Sequence, residues 1–274
     1  MEHEKLHELK SLIREYSPLL IAVSGGLDST FLAWIASGEC GGAVTAVHLV
    51  SEFTIPAESA FIRDFTAEHA IAYRELRVQV MNTPGITDNP PDRCYHCKKA
   101  MFTELVQLAK ELGSPTVADG TTLDDDHDYR PGYRAIRELG VVSPLKEAGF
   151  SRQLIEQTIR DEKLPIPELY SNSCLATRIP YNTTITGKML DSIRHAEEFL
   201  SGKGFGRVRV RHHQQVARLE LPVDDALQLL SNDTLREEIV TELKKSGFSY
   251  ITIDAEGFNS GSMNRTITGE DENE

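Results

Sequence analysis

The 274-residue sequence is short of several things at once. It holds four cysteines, too few for a disulfide framework, so any clustering among them is to be read as chemistry. No apolar stretch approaches the roughly 20 residues of a membrane span; the best is Leu19–Val23. The charged opening, Met1–His7, lacks the apolar segment of a signal peptide, and a cytoplasmic location in a reducing compartment is the expectation. Basic residues are scarce: 29 Lys and Arg against 42 Asp and Glu leave a net charge of −13. That deficit argues against a protein that coats nucleic acid or an anionic membrane, although a local basic pocket stays possible. The acidic stretch Gly269–Glu274 reads as a solvated tail.

What is present is an ordinary globular composition, 40% hydrophobic and 26% charged, in a chain long enough for one large or two modest domains. Helix-like and strand-like segments alternate through the first two thirds. Leu6, Leu9 and Ile13 keep helical spacing, and Leu19–Val23 is a continuous apolar run of the buried parallel-strand type. Further strands are predicted over 43–50, 73–80 and 116–118, with helices over 29–37, 58–69 and 94–112 between them. This alternation predicts a doubly wound parallel sheet of the α/β class. Beyond Gly149 the character changes: a helix over 151–162, an irregular Pro-containing stretch, a long helix over 186–203, then two period-two segments, Arg207–Arg211 and Val216–Leu221. Two helices and a last strand over 250–253 follow. A first domain over 1–170, a smaller α/β domain over 171–268 and a tail over 269–274 are expected.

The sharpest local signal is Ser24-Gly25-Gly26-Leu27-Asp28-Ser29, placed between a buried strand and an apolar helix. Two glycines let the backbone wrap an anion, Ser24 and Ser29 add hydroxyls, and a helix start directs free N–H groups at it. Asp28 beside a phosphate calls for Mg²⁺ between them. The Gly-Lys-Ser/Thr of the Walker loop is absent. The Ser-Gly-Gly-x-Asp-Ser order resembles the PP-loop ATP pyrophosphatase superfamily. The resemblance implies the adenine nucleotide alpha hydrolase-like fold and ATP as co-substrate. It also implies adenylylation of a carbonyl or carboxylate oxygen, with pyrophosphate released.

Three of the cysteines gather by motif. Cys94 and Cys97 form a CxxC between a Pro-rich loop and a helix, and Cys174 follows in Asn172–Arg178. Three thiolates match a [4Fe-4S] cluster with one iron left open. A redox dithiol, or zinc with His96 or His127 as fourth ligand, stays an alternative. Cys40 lies in a predicted turn and reads as a bystander.

The whole arrangement resembles one family, the LarE-type sulfur-insertion enzymes of nickel-pincer nucleotide cofactor biosynthesis. The resemblance runs through Ala22–Ser29, Arg93–Lys98, Ala118–Thr122, Asp128–Gly132, Leu139–Leu145, Cys174–Tyr181 and Gly261–Asn264. One departure is Pro167–Asn172, where many members carry a Trp-Asp-Lys-Pro-like run. The resemblance implies pyridinium-3,5-biscarboxylic acid mononucleotide as the small-molecule substrate, its carboxylates adenylylated and converted to thiocarboxylates. It implies two modes of sulfur supply. In one, Cys174 gives up its own sulfur; in the other, Cys94, Cys97 and Cys174 hold a [4Fe-4S] cluster whose open iron carries sulfide. The presence of all three favours the cluster. An assembly of several copies of the chain is implied as well; the sulfur donor is left undefined.

The remaining candidates follow. Arg207, Arg209 and Arg211 alternate with valines, so one strand face would carry all three. The resemblance implies that Arg209, Arg211 and Arg178 bind the substrate phosphate, for which guanidinium forks are suited. The plainer reading is an exposed face salt-bridged to Glu220 or other acids. Asp119 and Asp124, at the end of a predicted strand, suit Mg²⁺ or turn hydrogen bonds equally. His212-His213 reads as an exposed turn pair, Glu197 and Glu198 as a solvated helix face, and Trp34 as core. Three rival functions remain: a cluster-bearing tRNA thiolase, which wants a more basic surface; an ammonia-using ligase, which needs no cysteine trio; and a zinc-stabilised nucleotide-binding adaptor.

Overall fold

The computed structural model describes residues 2–113, 116–126, 131–167, 173–259 and 263. The chain divides into two compact units, one of Met1–Ile86 with Asp92–Asn172, the other of Thr87–Pro91 with Ser173–Glu274.

The first unit is built on four parallel strands. In chain order they and their helices are α1 (Glu2–Tyr16), β1 (Leu19–Val23), α2 (Leu27–Cys40), β2 (Val44–Val50), α3 (Pro56–Glu68), β3 (Tyr73–Arg77), α4 (Arg93–Glu111), β4 (Thr116–Ala118), α5 (Gly132–Glu138), α6 (Pro144–Glu147) and α7 (Arg152–Asp161). The sheet order is β3-β2-β1-β4, and Ala118 adds a parallel bridge to Val142 at the edge. Side chains alternate across a strand, and β1 shows the consequence. Leu19, Ile21 and Val23 pack with Leu9, Ile13, Phe31 and Leu32 on one face. Leu20 packs with Phe102, Leu105, Val117 and Ile136 on the other. Helices on both faces make this a doubly wound α/β sheet of the PP-loop kind, and they explain why β1 is apolar without alternation. The edge strand β3 stops at Arg77, short of the expected residue 80, and its Arg74, Glu75 and Arg77 suit an edge. Asp128–Arg130, of the family-like stretch ending at Gly132, and His127, weighed as a zinc ligand, lie outside the described residues, as do the tail 269–274 and residues 168–172 of the divergent stretch.

The second unit contains α8 (Gly187–Gly202), β5 (Arg209–His213), β6 (Val216–Glu220), α9 (Val223–Ser231), α10 (Asp233–Lys245) and β7 (Tyr250–Ile253). β5 and β6 are antiparallel, and β6 and β7 parallel. Thr186 caps α8 by accepting from Met189 N, and Asn232 caps α10 by accepting from Leu235 N. Leu200, Phe205, Val210, Leu219, Ile239, Leu243 and Phe248 form the core. The Pro-rich loop contributes to this unit: Asn182 N and Ile185 N donate to Asn89 O and Thr87 O, at 2.8 and 2.7 Å. Asn89 is buried in a left-handed conformation, and its side-chain amide donates to Ile179 O and Pro180 O. No helix among the described residues is long and apolar enough to cross a membrane.

Candidate functional site: an anion loop, a cysteine turn and an arginine cluster

The loop between β1 and α2 is closed by its own residues. Ser24 N donates to Ser29 Oγ at 3.1 Å, the two hydroxyls lie 3.2 Å apart, and Gly26 N donates to Ser24 Oγ at 3.2 Å. Gly25 has φ +86°, and a Cβ there would lie 3.0 Å from Glu58 O, so only glycine fits. The first helical hydrogen bond, Thr30 N to Gly26 O, leaves the earlier N–H groups of α2 directed out of its end. Backbone N–H groups at a helix start behind a glycine turn suit an anion. The loop is braced from β4: a Cβ on Gly120 would lie 2.8 Å from Ser29 N, so the strand end rests on the loop backbone itself.

The acids near this loop have partners. Asp28 faces Arg152 at 3.1 Å, and Arg152 N donates to Asp124 at 2.6 Å. A guanidinium therefore neutralises Asp28, which sequence spacing did not suggest. Asp119 is buried and accepts from Thr121 N, Thr121 Oγ1 and Ser143 Oγ, at 3.3, 2.5 and 2.7 Å, as a turn-organising acid does. Each carboxylate still has lone-pair capacity for a cation. Buried His48 on β2 bonds Val23 O and Ser59 Oγ, both at 2.8 Å, and its burial lowers its pKa.

Cys94 and Cys97 sit at the start of α4, three residues apart and hence on one side of the helix. Both are half-buried and outside any disulfide; fully buried Arg93 reaches Cys94 Sγ from 3.8 Å, and Cys97 Sγ lies 3.7 Å from Met101 Sδ. Cys174 belongs to the other unit, at the start of a short 3-10 turn, Leu175–Arg178. Among the described residues, no three His, Cys, Asp or Glu side chains gather as a metal-ligand group. Cys94, Cys97 and Cys174 are outside any disulfide, and thiolates are the donor type that an iron–sulfur cluster takes. Cys40 ends α2 rather than lying in a turn, and its thiol points to Ile13 O at 3.9 Å.

The three arginines expected at a phosphate differ in what they hold. Arg178 is buried, and its Nε and Nη2 clamp Glu197 at 2.8 and 3.1 Å. Its Nη1 donates to Ser173 O at 2.7 Å and to Thr177 Oγ1 at 3.1 Å, on either side of Cys174. Arg211 is buried and clamps Glu220 at 2.9 and 2.8 Å, while its Nη1 donates to Thr177 O at 2.5 Å. These two hold the cysteine turn. Arg209 has no carboxylate partner among the described residues. It is 4% exposed, donates from Nη1 to Asn259 O at 3.1 Å and lies 4.4 Å over the Phe258 ring. Its Nε is buried with no hydrogen-bond partner. Burial, and then the positive charges of Arg178 and Arg211, push its pKa down to about 10. The carboxylates of Glu220 and Glu197 oppose that shift without pairing with Arg209, which remains a cation at neutral pH.

Several expectations are corrected. Arg207 precedes β5 and is exposed, although it stacks over the same Phe258 ring as Arg209, at 4.9 Å. The salt bridge to Glu220 exists but is buried, not exposed. Glu197 is turned inward on α8 while Glu198 stays exposed, and His212 is buried on β5 rather than exposed in a turn. Trp34 is half-buried against the core. Of Gly261–Asn264, only Met263 lies within the described residues.

No protein-family model matches the chain. Comparison with individual proteins is decisive. The chain is 32% identical, over 95% of its length and 94% of the relative's, to the pyridinium-3,5-bisthiocarboxylic acid mononucleotide synthase of Lactiplantibacillus plantarum. It belongs to the LarE family. A Synechocystis protein is 37% identical to this LarE-family chain over 98% of it and the full length of that relative. A 24% match covers 67% of the chain and 63% of one component of the glutamine-hydrolysing GMP synthase of Thermoplasma volcanium. LarE-family membership makes the chain a sulfur-transfer enzyme and agrees with the α/β sheet described above.

Proposed function

We propose that the protein is an ATP-dependent sulfur transferase that converts the carboxylates of pyridinium-3,5-biscarboxylic acid mononucleotide to thiocarboxylates. The observation that carries the reading is Arg209, a buried cation whose Nε has no hydrogen-bond partner and which forms no salt bridge among the described residues, next to the arginines that hold the Cys174 turn. Burying a charge of this kind costs stability, and an anion beside it offsets that cost. The phosphate of a mononucleotide substrate supplies one in a geometry that a guanidinium matches.

In this reading the Ser24–Ser29 loop binds the phosphates of ATP on backbone N–H groups at the start of α2. A substrate carboxylate oxygen attacks the α-phosphorus; the new O–P bond forms as the bond to the β-phosphate breaks, and pyrophosphate leaves. A sulfur nucleophile then attacks the acyl carbon, the C–S bond forms, and AMP departs with the C–O electron pair. Mg²⁺ held by Asp28 and Asp119 would offset the charge of the phosphates. A [4Fe-4S] cluster held by Cys94, Cys97 and Cys174 would supply the sulfur from its open iron. Arg178 and Arg211 keep Cys174 in place, and Arg209 orients the substrate through its phosphate. The match to a GMP synthase component is consistent with ATP use. The proposal includes a cytoplasmic homo-oligomer with no membrane or nucleic-acid partner.

Anaerobic reconstitution, followed by iron and sulfide analysis, tests it. The expected result is about four irons per chain, lost in Cys97→Ala, with pyrophosphate released in the presence of ATP and substrate. A protein that binds no iron but loses the elements of H₂S from Cys174 during turnover points instead to sacrificial sulfur transfer. Bound zinc without pyrophosphate release points to the adaptor, and a tRNA gel shift at physiological salt to the thiolase.

A further inference from the structure

The Ser24–Ser29 loop is fixed from outside as well as from within. β1 pairs with β2 up to Val23 opposite His48, and there a side chain takes over from the ladder. Val23 O can only accept, so the Nδ1 of His48 must donate the 2.8 Å hydrogen bond. In the neutral ring, Nε2 is then the acceptor, and Ser59 Oγ donates to it at 2.8 Å. Ser59 lies in α3, next to Glu58, whose carbonyl lies against Gly25 closely enough that a Cβ there would meet it at 3.0 Å. The residue that enters the loop and the second residue within it thus both lean on adjacent residues of α3. His48 is 2% exposed, so water does not compete for either hydrogen bond.

We propose that His48 is a positioning residue for ATP: its Nδ1–H bond to Val23 O holds the loop backbone in its anion-binding shape, and its bond to Ser59 fixes which ring nitrogen carries the proton. The proposal rests on the reading that this loop binds ATP. An imidazole is the side chain that donates on one side and accepts on the other across this span. Asn at this position can keep an N–H near Nδ1, whereas Gln carries its amide out toward the place of Nε2. The two substitutions therefore separate the bond to Val23 from the bond to Ser59.

The test uses the full chain and Mg-ATP, with affinity measured by calorimetry well below the melting temperature of each variant. Wild type comes first, because a wild-type protein that binds no ATP ends the functional reading itself. With wild-type binding established, His48→Gln is expected to weaken ATP about five- to tenfold, the scale of one lost hydrogen bond. His48→Asn is expected to stay within about twofold. Both should leave the affinity for a pyridinium carboxylate mononucleotide unchanged. The result that overturns the proposal is equal ATP affinity in wild type and both variants, or affinity that follows melting temperature alone, because packing would then be the whole role of His48. If His48→Gln fails to fold, His48→Leu, which also removes the donor to Val23 O, takes its place with the same expected loss of ATP affinity.

Discussion

Arg152 places Nη1 3.1 Å from Asp28 Oδ1 in the first turn of α2, while its own backbone N–H is held by Asp124. Both side chains are about a third exposed, 27% and 30%, so the pair is worth only about 0–1 kcal/mol. Its significance is charge: a cation meant to bind Asp28 must compete with a guanidinium already there. Arg152→Ala is therefore expected to change the melting temperature little and to lower the Mg²⁺ concentration that half-saturates pyrophosphate release. Initial rates measured across a Mg²⁺ series check this. An unchanged Mg²⁺ dependence would remove Asp28 from the metal site.

Gly120 has no room for a side chain. A Cβ there would lie 2.8 Å from Ser29 N and 2.9 Å from Ser29 Cα, both backbone atoms that cannot rotate away. Gly120→Ala is expected to cost about 1–3 kcal/mol in urea unfolding. It should also weaken ATP binding beyond what the stability loss explains, since the displaced atom belongs to the anion loop. Gly187→Ala, at a position with no neighbouring atom within 4 Å of the added Cβ, is the control.

The arginine cluster contains two opposite cases. Glu220 and Arg211 are 1% and 6% exposed and paired through two hydrogen bonds, so Glu220→Gln leaves a buried guanidinium uncompensated. A loss of about 3–5 kcal/mol is expected. Arg209→Met removes a buried cation that has no carboxylate partner among the described residues, and stability should hold or rise, while affinity for a pyridinium carboxylate mononucleotide falls more than about tenfold. Denaturation midpoints and titration calorimetry on the two variants check the contrast. Loss of stability in Arg209→Met, with nucleotide affinity intact, would show that the guanidinium serves the fold.

Much of this was legible in residue order and some was not. The apolar run Leu19–Val23 and the glycines after it announce a buried parallel strand and an anion loop, because both signals are local. Gly120 and Arg152 carry no such signal: their contacts with Ser29 and Asp28 depend on how β4 and α7 fall beside α2. Glu197 looks like any acid on an amphipathic helix until Arg178 is seen opposite it. The period-two pattern over Arg207–Arg211 overstated the strand, since β5 begins only at Arg209 and alternation alone does not say where pairing starts. It also could not say which arginine Glu220 would pair with, since Glu220 reaches Arg211 across the β5–β6 pairing.

His48 also makes stability depend on pH. Burial lowers its pKa, against the opposing influence of its bond to Val23 O and of Glu75 on β3. In the unfolded chain the same ring titrates at an ordinary value near pH 6.5. As pH falls through that value the unfolded state takes up a proton that the folded state resists, so ν for the unfolded chain exceeds that for the folded one and stability drops. His212, buried on β5 with its Nδ1 unpartnered, has its pKa lowered for the same reason and adds in the same direction. The stabilisation is complete above about pH 6.5 and is lost as pH falls below it toward the folded-state values. Glu39, whose burial would raise its pKa but whose ion pairs with Lys10 and Arg14 bring it below the ordinary value, contributes in the same sense only at the lower pH where carboxylates titrate. Urea midpoints between about pH 7.5 and pH 5.5 should therefore decline in wild type and decline less in His48→Asn. Parallel slopes in the two proteins would mean that His48 is not the group being titrated.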